Sequence, residues 1–353
     1  MDIHTVDSAD FSVEDVVKAH MEDLAIQERF GVVQLKYWVN VDAKTLFCLM
    51  EGPNKDACNE VHKQSHGNTA CNIIEVFDDE FNLYLGEGKS VNDLAQYNSG
   101  EVDTGYRTIL LLSITELSAK NGNFLIEIHK IIDQHSGTII IGPSDEIMAS
   151  FIFFSNSILS AKAIGKLLRA IPDNIEFNLT LGSGRPVDEK GDNLFEETKK
   201  KVQYLCSFGL KKSMYLDYES KILSDKERLS SKINTEDFKL VKIEDFAFSN
   251  KLFDILENII DKPEFKSEDF NELLGLSKSQ TYRKIKSLTG LAPNQIIQEF
   301  RLRKSLRYLK ITDKTIAEIA FDLGFNSPTY FTKIFRKRFG ITPTVFAKIS
   351  KNI

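Results

Sequence analysis

Two runs of polar side chains have the types and spacing to do chemistry. Ser279, Gln280, Tyr282, Arg283 and Lys286 share the outer side of one helical repeat. Thr329, Thr332, Lys333 and Arg336 share the outer side of another, 50 positions further on. Hydroxyl, amide, guanidinium and ammonium donors grouped in this way suit base edges and phosphates. A smaller group lies near the N-terminus. His62 and His66 stand one helical turn apart, the spacing at which two imidazoles share a borderline ion such as nickel or zinc. Cys58 precedes them on nearly the same face. Spacing fixes no third ligand, so a helix face packing on a sheet or in a dimer is the other reading of these residues.

The elements that must present the first two runs are written as a repeat. Ser277, Ile285, Gly290 and Pro293 return as Ser327, Phe335, Gly340 and Pro343. Ser277 with Gln280, and Thr315 with Glu318, read as capping boxes that open helices. Ser327-Pro328 places a cap just before a proline at the first helical position, where its missing N–H costs nothing. Gly275 and Gly324 mark turns between helices, and Gly290 and Gly340 close the outward-facing ones. Phe331, Phe335 and Phe339, with Ile334, form one inward stripe; Ile285 and Leu288 form the other, with Thr281 where the second copy has Phe331. Between the copies, Gln295 to Lys310 is an amphipathic run carrying Arg301, Arg303, Lys304 and Arg307. As a rigid spacer it would hold the two reading helices roughly 34 Å apart, one turn of duplex. A duplicated helix-turn-helix of this kind predicts a sequence-specific binder of double-stranded DNA.

The segment from about Lys251 to Lys348 resembles the AraC/XylS-type DNA-binding domain along its whole length, most closely in "TIAEIAFDLGFNSPTYFTKIFRKRFGITP". The resemblance implies a transcription regulator, with RNA polymerase as a further contact. It also implies that Ser279, Tyr282 and Arg283 read bases from the first helix and Thr329, Thr332 and Lys333 from the second.

Charge agrees with this division. The 353 residues carry a formal charge of −6, which taken alone argues against nucleic acid. Residues 250–353, however, hold 19 Lys and Arg against 11 Asp and Glu, and the remainder holds 26 against 40. A basic module on an acidic body directs phosphate contacts to one end. No run of 18 apolar residues suggests a membrane span, and the acidic start is unlike a signal peptide. Four cysteines without CxxC spacing fit a reducing cytoplasm.

Residues 1–97 read as a ferredoxin-like α+β module. Strands at "VVQLKYWVN", "TLFCLMEG" and "NIIEVF" alternate with helices at 12–28 and 54–66. Through "EDVVKAH", "RFGVVQLKYWVN", "FCLMEGP" and "VHKQSHG" the module resembles a family of small proteins, some described as nickel-responsive. Residues 105–245 repeat the βαββαβ pattern, with strands at "RTILLLSI", "GTIII", "IMASFIFF" and "IEFNLTLGSG" and a core expected to stand alone. Polar stretches near 97–104 and 224–237 read as linkers.

Residues 107–245 resemble the class III nucleotidyl cyclase domain, through "GPSDEIMASF" and "NLTLGSGRPVDEKGDNLF". Cyclase chemistry needs two carboxylates for its metal ions and cationic or amide groups for the triphosphate. The resemblance puts Asp145 at one metal position but Ser113 at the other, Ile141 at the base-recognition lysine, and Lys200 and Tyr204 where the family uses asparagine and arginine. One carboxylate of two cannot run the reaction, so the fold is expected to serve dimerisation or sensing rather than catalysis.

The expectation is thus a multidomain chain, two α+β ferredoxin-like modules followed by an all-α double helix-turn-helix domain over 248–353. Its partners are double-stranded DNA, a second copy of itself through 1–245, and a small-molecule or metal effector. No resident cofactor is expected beyond nickel or zinc at the histidine pair.

Overall fold

The computed structural model describes all residues except 87–88, 119–123, 143–145, 172–174, 209–211, 219, 221–234 and 352–353. The first sheet takes β1 (Asp2–Thr5), β2 (Val33–Asn40), β3 (Thr45–Glu51), β4 (Asn72–Ile73), β5 (Lys89–Val91) and β6 (Leu94–Gln96). Its strand order is β4-β1-β3-β2-β6-β5. With α1 (Val13–Ile26) after β1 and α2 (Lys55–Ser65) after β3, the first four strands form a ferredoxin-like βαββαβ unit. Ser12 caps α1 in a reciprocal box with Asp15, and Asn54 caps α2. A short helix, α3 (Asp78–Tyr84), follows β4.

The second sheet repeats that topology. It takes β7 (Arg107–Glu116), β8 (Gly137–Ile141), β9 (Glu146–Phe151), β10 (Ile175–Gly184), β11 (Ser213–Asp217) and β12 (Lys239–Val241), in the order β12-β11-β10-β7-β9-β8. Helices α4 (Phe124–Gln134), α5 (Phe154–Ala170) and α6 (Glu196–Phe208) connect its strands. Antiparallel pairing of β7 with β9 and β10 gives the same relative order of four strands as in the first sheet, and β11 and β12 extend it in parallel.

The second sheet is covered on both faces, which explains why β7 is an almost unbroken apolar run. Leu110, Leu112 and Ile114 pack with Phe124, Ile128, Ile158 and Ile164 of the helices. The alternate residues Ile109 and Leu111 pack, with Met148, against Ile3, Trp38, Phe47 and Ala95 of the first sheet. Phe81, Tyr84, Val202 and Cys206 complete that layer. The two α+β modules therefore share one apolar layer, while each also keeps a core of its own. Nor is 97–104 a free linker. Asp103 is buried and accepts two hydrogen bonds from Arg107, at 2.9 and 2.8 Å, while the same guanidinium donates to the Tyr84 carbonyl. Of the second proposed linker, 224–234 lies outside the described residues.

Seven helices follow: α7 (Ile243–Asn258), α8 (Asp269–Leu274), α9 (Lys278–Thr289), α10 (Pro293–Ile311), α11 (Ile316–Asp322), α12 (Pro328–Phe339) and α13 (Pro343–Ser350). Among the described residues no helix is long and apolar enough to cross a membrane.

Candidate DNA interface and histidine cluster

The reading helices are α9 and α12. Ser277 and Gln280 close a reciprocal capping box on α9, Thr315 and Glu318 do so on α11, and Ser327 caps α12 through the Tyr330 N–H. Gly290 and Gly340 end the two reading helices in left-handed geometry, at φ 76° and 80°. Ile285 and Leu288 are buried in one unit, and Phe331, Ile334, Phe335 and Phe339 in the other. Thr281 is buried at the place Phe331 fills in the second copy, and its hydroxyl has no partner. Outward, Ser279, Gln280, Tyr282, Arg283 and Lys286 are exposed on α9. On α12 Thr329, Lys333 and Arg336 are exposed and Thr332 is half-buried. Tyr330, half-exposed beside them at the register of Gln280, was not among the contacts expected from the sequence.

The connecting helix α10 behaves differently from a surface of free cations. Arg301 is buried and donates to the carbonyls of Ile260 at 3.1 Å, Lys262 at 2.6 Å and Gly324 at 3.0 Å. It satisfies backbone oxygens beyond the end of α7 and ties them to the turn of the second unit. Gly324 is required there. Its φ is +70°, and a Cβ would lie 2.6 Å from the Ile260 oxygen. Arg303 pairs with Glu299 at 3.0 Å and Lys304 with Glu257 at 2.6 Å.

The middle module holds both reading helices from behind. Arg338, near the end of α12, donates to Glu299 of α10 and to Glu176 of β10, with Nη2 3.0 Å from Glu176 Oε2. The Lys239 ammonium donates to the Ser287 carbonyl at 2.7 Å and to that of Leu288, in the last turn of α9. Leu205 and Tyr215 join the core of the first helix-turn-helix unit, and Leu117 joins that of the second.

At the far end of the chain, β1, α1 and α2 assemble the histidines. His62 is buried and donates from Nδ1 to Asp23 and from Nε2 to Asp2, each at 2.9 Å. His66 Nε2 lies 3.3 Å from Asp23, and His4 Nε2 lies 3.3 Å from Asp2. Burial opposes a charge on His62, but hydrogen bonds and the negative charges of Asp2 and Asp23 outweigh it and raise the imidazole to about 10. Burial pushes both carboxyls up, but His4 with His62 holds Asp2, and His62 with His66 and Ser65 holds Asp23, well below the ordinary range. Two overlapping groups have the donor types of a metal site: Asp23 with His62 and His66, and Asp2 with His4, Cys48 and His62. The structure thus brings the predicted pair together. It adds Asp23 and Asp2, which lie 39 and 60 positions from His62 and which no local spacing could reveal. Cys58 does not join them; it turns into the core beside Gly52.

Comparison with known proteins divides the chain in the same way. Residues 272–349 match the family model "Helix-turn-helix domain", and residues 1–76 match "Nickel responsive protein SCO4226-like". A relative, the HTH-type transcriptional activator RhaS of Mannheimia succiniciproducens, is 38% identical over 88 residues, 25% of this chain and 32% of that protein. The C-terminal domain is an AraC-type helix-turn-helix domain. The chain is also 36% identical over 96 residues to "Histidine kinase P4" of Formosa agariphila, 27% of this chain and 7% of that protein. A crystal structure of SCO4226 from Streptomyces coelicolor A3(2) is 31% identical, with 21% of this chain and 90% of that one covered and a TM-score of 0.20. The chain spans about a third or less of the length of the curated relatives it matches.

The cyclase positions are occupied as follows. Ser113 lies in β7 opposite Asn178 and Glu146. Lys200 pairs with Glu196 on its own helix, and the Tyr204 ring lies 4.8 Å from Phe253 of α7. Ile141 ends β8, half-exposed. Asp145 lies outside the described residues.

Proposed function

We propose that the whole chain is a transcription regulator in which the AraC-type domain reads DNA with α9 and α12 and residues 1–245 carry the signal. One observation carries this reading: two helices with matching caps and left-handed stops present Arg283 and Lys333 outward from a basic domain. Ser279, Gln280, Tyr282, Lys286, Thr329, Thr332 and Arg336 are the further contacts. The middle module, with a serine at one metal position, acts as the scaffold between signal and reader rather than as a catalyst. A second copy of the chain, an effector and RNA polymerase are the remaining partners of this reading. Gel shift of the full chain on fragments selected from genomic DNA tests it. Affinity should fall steeply between 50 and 200 mM salt, since about six or more phosphate contacts release as many counterions; salt-independent binding would refute it.

A second reading makes the signal a divalent ion, and it is favoured by the grouping of Asp23, His62 and His66. One carboxylate and two imidazoles suit nickel or zinc. Capture there exchanges a proton for the ion, because His62 must give up one of its two N–H donors. Calorimetric titration with Ni²⁺ and Zn²⁺, repeated on His66→Ala, checks it; heats unchanged by the substitution would remove the site.

A further inference from the structure

A cavity of about 480 Å³ opens on the helix side of the first sheet, between α1, the segment before it and the C-terminal end of α2. That volume lies among sites for small organic ligands, roughly 300–1,000 Å³, and far exceeds a bare ion. Its formal charges are mostly negative. Asp7 and Asp15 are exposed on it, Asp23 is buried within it, and among the described residues no Lys or Arg lines it. His62, a cation in its wall, is already committed to Asp2 and Asp23. Carboxylates around a concave, low-dielectric space concentrate a field that draws cations in.

Two wall residues each carry an unpaired polar atom. Tyr37 and His20 line the cavity and are 1% and 5% exposed, yet the Tyr37 hydroxyl and His20 Nδ1 have no hydrogen bond among the described residues. His20 Nε2 is taken by Asp93 at 3.1 Å. With Nε2 committed to Asp93, Nδ1 is the ring nitrogen left for a ligand, and it accepts a hydrogen bond whenever the ring is neutral. Leaving such groups unpaired is unfavourable, and a bound ligand would offset that cost. The Tyr37 and His20 rings lie 4.4 Å apart, and Phe11 adds a third aromatic face of the kind that favours organic cations.

We propose that this cavity is the effector site and that its ligand is a small organic amine. The ammonium is held by the carboxylate field and donates to His20 Nδ1, the Tyr37 hydroxyl makes a second polar contact, and the carbon body lies against Phe11. This rests on residues 1–245 carrying the signal; DNA binding by the AraC-type domain stands apart from it.

The test is calorimetry on the full chain in EDTA with phenethylamine and agmatine, with phenylacetate as an anion of matching shape. Ni²⁺ is titrated separately without chelator, and DNA binding is measured on the same samples. At least one amine should bind saturably, with phenylacetate at least tenfold weaker. Tyr37→Phe should weaken that amine severalfold while raising the thermal midpoint of the free protein, because it removes a buried hydroxyl that has no partner. A purely structural tyrosine would not move the two readouts in opposite directions. The proposal is overturned if neither amine binds at millimolar concentration, if phenylacetate binds equally, if heat appears only with Ni²⁺, or if Tyr37→Phe lowers the midpoint and leaves affinity unchanged. Any of these alongside intact DNA binding refutes the amine site alone; loss of DNA binding refutes the regulator.

Discussion

Arg283 and Lys304 are both cations of the DNA-binding domain, and their surroundings assign them different work. Arg283 is exposed on α9 with a fork of donors able to bond a guanine edge twice. Arg283→Ala should cost about 1–3 kcal/mol against the selected site and little against scrambled DNA, read by competition binding at one salt concentration. Equal losses on both would mean that α9 grips only backbone. Lys304 is held by Glu257, so Lys304→Ala should leave DNA preference unchanged. The sequence could show that both are basic; it could not show which one already has a carboxylate. The histidines teach the same lesson more sharply. Because the folded-state value of His62 is raised, to about 10 from an ordinary 6.5, its contribution to stability is complete below about pH 6.5. That contribution is lost as pH climbs through 10. Asp2 and Asp23, with lowered values, contribute above their ordinary 3.8 and lose that contribution in acid. His62→Ala leaves two buried carboxylates without their cation and should destabilise by about 3–5 kcal/mol, with the alkaline part of the profile flattened in denaturant titrations across pH. An unchanged alkaline limb would show that His62 is not the titrating group.

At the scale of elements, the helix signals of the C-terminal domain were legible, while strands β1, β5, β6, β11 and β12 were not. Caps at Ser277, Thr315 and Ser327 and stops at Gly290 and Gly340 stand where the residues alone put them, because those signals act over three or four positions. The opening strand β1 escaped notice. Asp2 and His4 make it look like a polar tail, yet both are buried: Asp2 is bonded to His62 of α2 far along the chain, and His4 to Asp2, with its ring against His62. Without β1 the first sheet has no central strand between β3 and β4. The roles of Arg301 and Arg338 were hidden for the same reason: the carbonyls and carboxylates that hold them belong to other elements. The Arg338–Glu176 pair joins α12 to β10, and its strength is measurable. A double-mutant cycle with Arg338→Ala and Glu176→Gln should give a coupling of about 0.5–3 kcal/mol in unfolding free energy. Additive effects would mean that α12 and the middle module are mechanically independent.

On the scale of the whole molecule, composition divided acidic body from basic reader correctly, and the repeated βαββαβ order showed through the strand pattern. What composition could not show is that the two sheets meet. An alternating strand reports that a face is buried, not what buries it, and Trp38 and Phe47 carry no mark that Ile109 and Leu111 are their neighbours. This shared layer has a consequence for synthesis. The Trp38 and Phe47 face is complete once β6 has emerged, but its cover includes residues as late as Cys206. At roughly 5–20 residues per second, a ribosome leaves that apolar face open for about 5–20 s. Nascent chains stalled with about 120 residues outside the tunnel should therefore be protease-sensitive and bound by chaperone, and chains stalled beyond about 210 should be neither. If both lengths resist protease alike, the first sheet completes itself without its neighbour, and the second merely settles onto a surface already closed.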